Sequence, residues 1–347
     1  MALTVDIRKA LGDFRLDMRF TADDGVLALL GASGCGKSMT LRCIAGVERP
    51  DRGHIELNGR VLYDSGKRID LKPQERRVGY LFQQYALFPN MTVRQNILCG
   101  VRDRRNGAAA ADAMIQSMEL TGLESLKPRQ LSGGQQQRTA LARILVNEPD
   151  LMLLDEPFSA LDSHLRFQME REVRRIIRGF KKPVLLVSHS RDEVYRLSDR
   201  IAVMGNGHIE TVGENHQVFA DPVTKRGAVL TGCKNISPAR QNPDATVRAS
   251  DWGLDLKLPR WPSDADCVGI RMHDIRPAME SDTVNVFPCR VEEVVENPFS
   301  FTVMLRPEGT NASRAVGWET DKETWRRHQA ERLVIHLPPD AVLPLKE

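Results

Sequence analysis

The residues of this chain that could do chemistry begin at GASGCGKS, positions 31 to 38. Glycines at 31, 34 and 36 let a backbone bend until its N–H groups point inward, and a helix starting at the end of the bend adds positive potential. Lys37 then reaches the β- and γ-phosphates of a nucleotide, and the Ser38 hydroxyl serves Mg²⁺. The apolar run VLALLG precedes this loop, and Leu41, Ile44 and Ala45 follow it at helical spacing, which is the context a phosphate loop needs. The expected ligand is a nucleoside triphosphate, lined by Gly31, Ser33, Gly34, Cys35, Gly36, Lys37, Ser38 and Met39.

A second anion-binding end lies at LSGGQ, positions 131 to 135. Ser132, Gly133 and Gly134 place a hydroxyl and unencumbered N–H groups at the start of a helix carrying Ala140, Leu141, Ile144 and Leu145. Two more apolar runs end in polar chemistry: LMLLDE stops at Asp155 and Glu156, and PVLLVSH stops at His189. Adjacent acids directly after a buried strand are unusual unless they are used.

LSGGQ continuing as QQR resembles the signature motif of ABC ATPases, and the other motifs stand in that family's order. The resemblance implies ATP and Mg²⁺ as the ligands. It also implies that Ser132, Gly133, Gly134 and Gln135 cap the γ-phosphate held by a partner's phosphate loop, so that two copies meet head to tail. LMLLDE resembles the Walker B strand, in which Asp155 holds Mg²⁺, directly or through water, and Glu156 polarises the attacking water as general base. SALD (159 to 162) resembles the D-loop, placing Asp162 along the dimer interface. His189 resembles the switch histidine that contacts the γ-phosphate. Gln83, in LFQQYALFP, resembles the Q-loop glutamine that senses Mg²⁺ and water, with Gln84 the neighbouring alternative. Ser38, Gln83 and Asp155 thus form the expected metal-facing set. Leu11 stands where the family commonly stacks an aromatic on adenine; Phe14 is the nearby candidate, and packing explains it equally well. Met39 replaces the usual Ser or Thr and removes one hydroxyl contact to the α-phosphate.

These motifs must be positioned by alternating strands and helices, and residues 1 to about 230 carry that pattern, with ligand sites at the strand C-termini. Leu165, Met169, Val173, Ile176, Ile177 and Phe180 recur at steps of three and four and predict an amphipathic helix whose apolar face packs in the core. RIAVMGNGHIETVG predicts a hairpin around Gly205, Asn206 and Gly207. After about residue 231, Pro238, Pro243, Pro259 and Pro262 punctuate short segments, and FTVMLR and RLVIHL read as strands. The expected fold is an α/β P-loop NTPase domain of ABC type over 1–230, with a helical subdomain at about 84–148. A small all-β, OB/TOBE-like domain is expected over 231–347.

Composition sets the outer bounds. With 347 residues, 41% hydrophobic and 27% charged, the chain is an ordinary globular one of about two domains. A net charge of +3 gives no reason to expect nucleic acid as a partner. No apolar run approaches the roughly 18 to 20 residues that cross a bilayer, and the start lacks a secretory pattern, so a cytosolic protein is expected. The six cysteines show no metal or disulfide spacing.

One signature and one phosphate loop mean that the other half of each site comes from a second copy. Fused membrane helices, a duplicated cassette and long coiled coils are all missing from the pattern, which leaves an importer motor. Such a motor docks through Tyr85, Leu87 and Phe88 onto a permease at the cytoplasmic face of the membrane and serves a solute-binding protein indirectly. VGIRMHDIRP (268 to 277) resembles a strand motif of the accessory β-domain of importer ATPases, with Met272 and His273 in place of Pro and Glu. TGCKNIS (231 to 237) and the layout look most like the molybdate group, with sulfate next, although the same stretch reads equally as a linker. A soluble non-transport ABC ATPase and a C-terminal module that senses an anion are the competing readings.

Overall fold

The chain opens on an antiparallel sheet that motif spacing alone did not anticipate. Leu3–Leu11 (β1) pairs with Phe14–Ala22 (β2), and Leu3, Val5 and Ile7 are fully buried at every second position, as a strand with one buried face requires. The computed structural model describes residues 2–102, 105–159 and 163–347. After Gly25–Gly31 (β3) has left for another sheet, Arg52–Leu57 (β4), Arg60–Asp64 (β5) and Ile69–Asp70 (β6) complete this first one in the order β2-β1-β4-β5-β6.

The second sheet carries the chemistry. Val78–Leu81 (β7), Leu151–Asp155 (β8), Pro183–Ser188 (β9), Arg200–Gly205 (β10) and His208–Glu214 (β11) join β3 in the order β11-β10-β3-β9-β8-β7. All are parallel except β11. Leu29, Leu153, Leu154, Leu185 and Leu186 are fully buried, which is why these strands read as unbroken apolar runs. Parallel alignment brings the C-terminal ends of β3, β7, β8 and β9 to one edge of the sheet. The β10–β11 hairpin turns at Asn206 (φ 45°) and Gly207 (φ 84°), the pair of left-handed residues its two-residue loop demands.

Between β3 and β10 run the helices Lys37–Ala45 (α1), Val93–Leu98 (α2), Gly107–Ser117 (α3), Gly133–Leu145 (α4), Ser163–Phe180 (α5) and Arg191–Leu197 (α6). Helices α2 to α4 build their own small core around Val93, Ile97, Ala111, Ile115 and Ala142. α5 buries Met169, Val173 and Ile177 from the predicted apolar stripe.

The first compact unit spans Met1–Asn215 and the second His216–Glu347. The division falls ahead of Lys225–Leu230 (α8), which follows Asn215–Ala220 (α7) and whose Ala228 packs with Cys233, Cys267 and Leu345 of the second unit. The sequence reading set its boundary after residue 230.

In the second unit, Asn235–Gln241 (β12), Val247–Ala249 (β13), Leu254–Leu256 (β14), Cys267–Ile270 (β15), Arg276–Pro277 (β16), Val286–Glu296 (β17), Ser300–Pro307 (β18), Val316–Asp321 (β19), Arg332–His336 (β20) and Leu343–Leu345 (β21) follow one another. They form two antiparallel sheets, β14-β13-β12-β15-β21 and β16-β20-β17-β18-β19, with one short helix at Lys322–His328 (α9). Trp252, Trp318, Trp325, Val303 and Ile335 fill the core, giving the small β-rich, OB/TOBE-like domain expected here.

Asn235 ties the two sheets together. Its Nδ2 donates to the Gly317 carbonyl at 2.7 Å, and its Oδ1 accepts from the Gly317 N–H at 2.8 Å, all out of water. Asn235→Ala strands both backbone groups and is expected to destabilise this unit by about 2–3 kcal/mol. A denaturant titration in which the midpoint is unmoved would contradict that assignment.

Candidate functional site

At the end of β3 the chain bends and re-enters as α1. Gly36 sits at φ 102°, and a Cβ there would lie 2.6 Å from Leu16 and 3.1 Å from the Phe14 ring, so the bend is open to glycine alone. No side chain caps α1 at Gly36, so the first-turn N–H groups beginning at Lys37 are left facing the loop. Lys37 is buried. Its Nζ donates to the carbonyls of Gly31 at 2.7 Å and Ala32 at 2.8 Å and lies 3.8 Å from the Cys35 Sγ. Ser33 and Gly34 are exposed at the crest of the loop, and Met39 packs against the core behind it. The Phe14 ring, partly buried, also joins that core, whereas Leu11 is exposed.

Beneath the loop, Ser38 Oγ donates to Asp155 Oδ1 at 2.8 Å, and Tyr80 Oη donates to Asp155 Oδ2 at 2.8 Å. Asp155 is buried at the end of β8. Burial, and then the Asp155 carboxylate, push the Tyr80 phenol well above its ordinary pKa, so it stays a proton donor. A buried carboxylate touching a hydroxyl offers the hard oxygen donors a divalent cation prefers, and the cationic, amide-lined loop beside it suits a polyphosphate. The residues present therefore fit Mg²⁺ and a nucleotide.

One residue further, Glu156 adopts φ 47°, a left-handed conformation rare for a residue with a side chain. The turn aims its carboxylate sideways along the sheet edge: Oε1 lies 3.2 Å from His189 Nδ1, and Oε2 accepts from Gln83 Nε2 at 3.3 Å. Thus β7, β8 and β9 each deliver one group to the same spot, and Gln83 is the glutamine of the pair that reaches Glu156. His189 is held from behind. Ser188 Oγ donates to the buried Glu193 carboxylate at 2.6 Å and accepts from the Ser190 N–H at 2.9 Å, which fixes the backbone on both sides of the histidine. Burial raises the Glu193 pKa.

The helix start at Ser132, expected to be a second anion-binding end, is built as a capping box. Ser132 caps α4, accepting from the Gln135 N–H at 3.3 Å, while Gln135 Oε1 accepts from the Ser132 N–H at 2.9 Å. This reciprocal box spends the Gln135 side chain on the helix start and leaves Gly133 and Gly134 as bare backbone. Among the described residues, no hydrogen bond joins Ser132–Gln135 to the loop at 31–38. Asp162 lies outside the described residues.

One expectation is corrected. Tyr85 is buried, with its hydroxyl on the Pro157 carbonyl at 3.4 Å, because left-handed φ values at Tyr85 (58°) and Ala86 (45°) turn the ring inward. Arg143 of α4 grips this turn, donating to the Tyr85 and Ala86 carbonyls and lying 5.3 Å from the centre of the Phe88 ring. Phe88 remains 47% exposed and Leu87 half-buried, so the accessible apolar surface here belongs to them. Tyr80, Glu193 and Arg143 all escaped the sequence reading; none sits in a motif, and each works through a contact made by the fold.

Comparison with known proteins agrees with this geometry. The family model "ABC transporter" matches residues 16–159. The molybdenum import ATP-binding protein ModC of Paramagnetospirillum magneticum is 42% identical over 223 residues, 63% of this chain and 61% of that protein. The chain thus spans about three fifths of that relative's length. The sulfate/thiosulfate import ATP-binding protein CysA of Synechococcus elongatus is 35% identical over 341 residues, 96% of this chain and 88% of that one. The spermidine/putrescine import ATP-binding protein PotA of Thermobifida fusca is 40% identical over 280 residues, 77% of this chain and 71% of that one. Among solved structures, the dimeric post-hydrolysis ATP-binding cassette MJ0796, bound to ADP and Pi, superposes with a TM-score of 0.52 at 26% identity, covering 62% of this chain and 99% of that one. A phosphate loop, adjacent acids at the end of a buried strand and a relative aligned over 96% of the chain leave one conclusion: the chain belongs to the ABC transporter family, among its import-type ATP-binding proteins, and is an ATPase that uses ATP with Mg²⁺.

Proposed function

We propose that this chain is the ATPase subunit of an importer, and that two copies close head to tail on ATP to drive a separate permease. One observation carries this reading: the phosphate-facing groups are divided. The loop at 31–38, Asp155, Glu156, His189 and Gln83 gather at one sheet edge, while the Ser132 helix start has no hydrogen bond to that loop among the described residues. A second copy supplies the missing cap, a reading supported by the dimeric relative that holds ADP and Pi.

In this arrangement Lys37 leaves the loop carbonyls for the β- and γ-phosphates, and the α1 amides hold the rest of the polyphosphate. Glu156 accepts a proton from the attacking water at a carboxylate oxygen. His189 steadies that carboxylate and reaches the γ-phosphate, and Gln83 orients the water. Ser38 and Asp155, with Gln83 nearby, would hold Mg²⁺, which would supply charge neutralisation at the phosphates. Ser132, Gly133, Gly134 and Gln135 of the second copy close the site, with Asp162 along the contact. None of the helices among the described residues is long and apolar enough to cross a membrane. In this reading the chain works peripherally, at the cytoplasmic face, through Leu87 and Phe88 on the permease, and the second unit serves as its accessory regulatory domain.

For the solute we propose molybdate, on the 42% identity to a molybdenum import protein and on TGCKNIS at the start of the second domain. Sulfate is the second reading, because the sulfate relative aligns over 96% of the chain. Reconstitution with a permease and solute-binding protein that copurify with it decides the matter. ATP hydrolysis should rise several-fold with molybdate and stay at baseline with sulfate or putrescine. Stimulation by sulfate or putrescine in place of molybdate would overturn the solute, and no dependence on the permease at all would overturn the importer reading.

A further inference from the structure

We infer that Tyr80 is a positioning residue for the metal site: its phenol locks the rotation of the Asp155 carboxylate, so that Asp155 and Ser38 present their oxygens to the same cation. The inference rests on the assignment of Mg²⁺ to Ser38 and Asp155 made above. A carboxylate held at one oxygen still pivots about its terminal torsion, whereas one held at both oxygens from different sides does not. Here Oδ1 accepts from Ser38 and Oδ2 from Tyr80, each at 2.8 Å.

The direction of these bonds follows from donor counting. The hydroxyls of Ser38 and Tyr80 each carry one proton, and a carboxylate oxygen accepts. The proton of Tyr80 goes to Asp155 Oδ2 and that of Ser38 to Oδ1. Tyr80 is itself immobilised. It stands on β7 opposite Leu153 of β8, and its ring stacks on Phe82 with centroids 4.1 Å apart. Tyr80 thus links the strand that leads to Gln83 directly to the metal-facing acid. Groups that orient a ligand in this way typically change metal affinity by about ten- to a hundredfold when removed.

The test is Tyr80→Phe in the full chain, which keeps the ring and its stacking and deletes only the proton donor. Binding of a fluorescent ATP analogue is measured in EDTA and across a Mg²⁺ titration, with Mn²⁺ binding by electron paramagnetic resonance as a second readout. The variant should melt like the parent and bind nucleotide in EDTA within about twofold of it. The Mg²⁺ and Mn²⁺ midpoints should rise about tenfold. Phe82→Leu, which loosens the stacking and leaves the donor, should give a smaller rise. Unchanged Mg²⁺ and Mn²⁺ midpoints in Tyr80→Phe, alongside a large rise in Asp155→Asn, would overturn the role of Tyr80 alone. Unchanged midpoints in Asp155→Asn would overturn the metal assignment itself, and this inference with it.

Discussion

Glu156→Gln is expected to bind MgATP as the parent does and to turn it over at least about a hundredfold more slowly. The amide keeps the size of the side chain and can still meet Gln83 and His189, which lie 3.3 Å and 3.2 Å from the carboxylate oxygens. The backbone cost of φ 47° is common to both residues, so the fold has no new reason to yield. What disappears is the basic oxygen that takes the water's proton. Removing one preorganised catalytic group typically costs about 3–4 kcal/mol, a factor of roughly 10² to 10³ in rate. A single-turnover assay with labelled ATP measures this directly. Hydrolysis at the parental rate would remove Glu156 from the role of base and leave His189 as the remaining candidate.

The largest effect on stability is expected from Arg76→Ala. Arg76 is 1% exposed, and its guanidinium is spent entirely on the protein. It donates to the carbonyls of Leu71 at 2.8 Å, Cys43 at 2.8 Å and Ile44 at 2.9 Å, and to Asp70 at 3.0 Å. Cys43 and Ile44 lie in the last turn of α1, where helix carbonyls have no partner within the helix and a cation is favoured by the dipole. Truncation leaves the Leu71 and Ile44 carbonyls without this donor beside a cavity, while Cys43 keeps the Gly46 N–H and the partly exposed Asp70 keeps Arg49. The expected cost is about 3–5 kcal/mol. For a unit of this size that corresponds to a fall in Tm of roughly 8–15 °C. Arg76→Lys recovers only part of it, since an ammonium cannot span the same fork of acceptors. A loss below about 1 kcal/mol in calorimetry would show that water or a neighbour replaces the guanidinium.

These two residues also mark where sequence was informative and where it was not. Glu156 was legible because β8 is buried on both faces and so reads as an apolar run, and the acid that ends it stands out. The same physics revealed β3, β9 and the His189 strand end, and the steps of three and four in α5 revealed its buried stripe. Arg76 was illegible: it follows the surface-like stretch KPQE, and only the fold brings it to carbonyls 32 and 33 residues earlier. Tyr80 reaches Asp155 across 75 residues for the same reason. The sheet formed by β1, β2, β4, β5 and β6 did leave a trace in the alternation of Leu3, Val5 and Ile7, but the stronger strand–helix rhythm around the phosphate loop masked it. Tyr85 was misplaced because hydropathy marks an aromatic as apolar without saying which way a left-handed turn will face it. The Ser132 motif was legible as a helix cap, and the second partner proposed for it belongs to another copy.

The proposed division of the phosphate-binding groups between two copies is the point on which the rest depends, and the mass of the Glu156→Gln protein in solution tests it most directly. Light scattering should show the mass doubling when saturating MgATP is added, and the doubling should be abolished by Ser132→Arg, which blocks the capping helix start while leaving the loop at 31–38 intact. A protein that stays strictly monomeric with saturating MgATP, even beside its permease, would contradict the account.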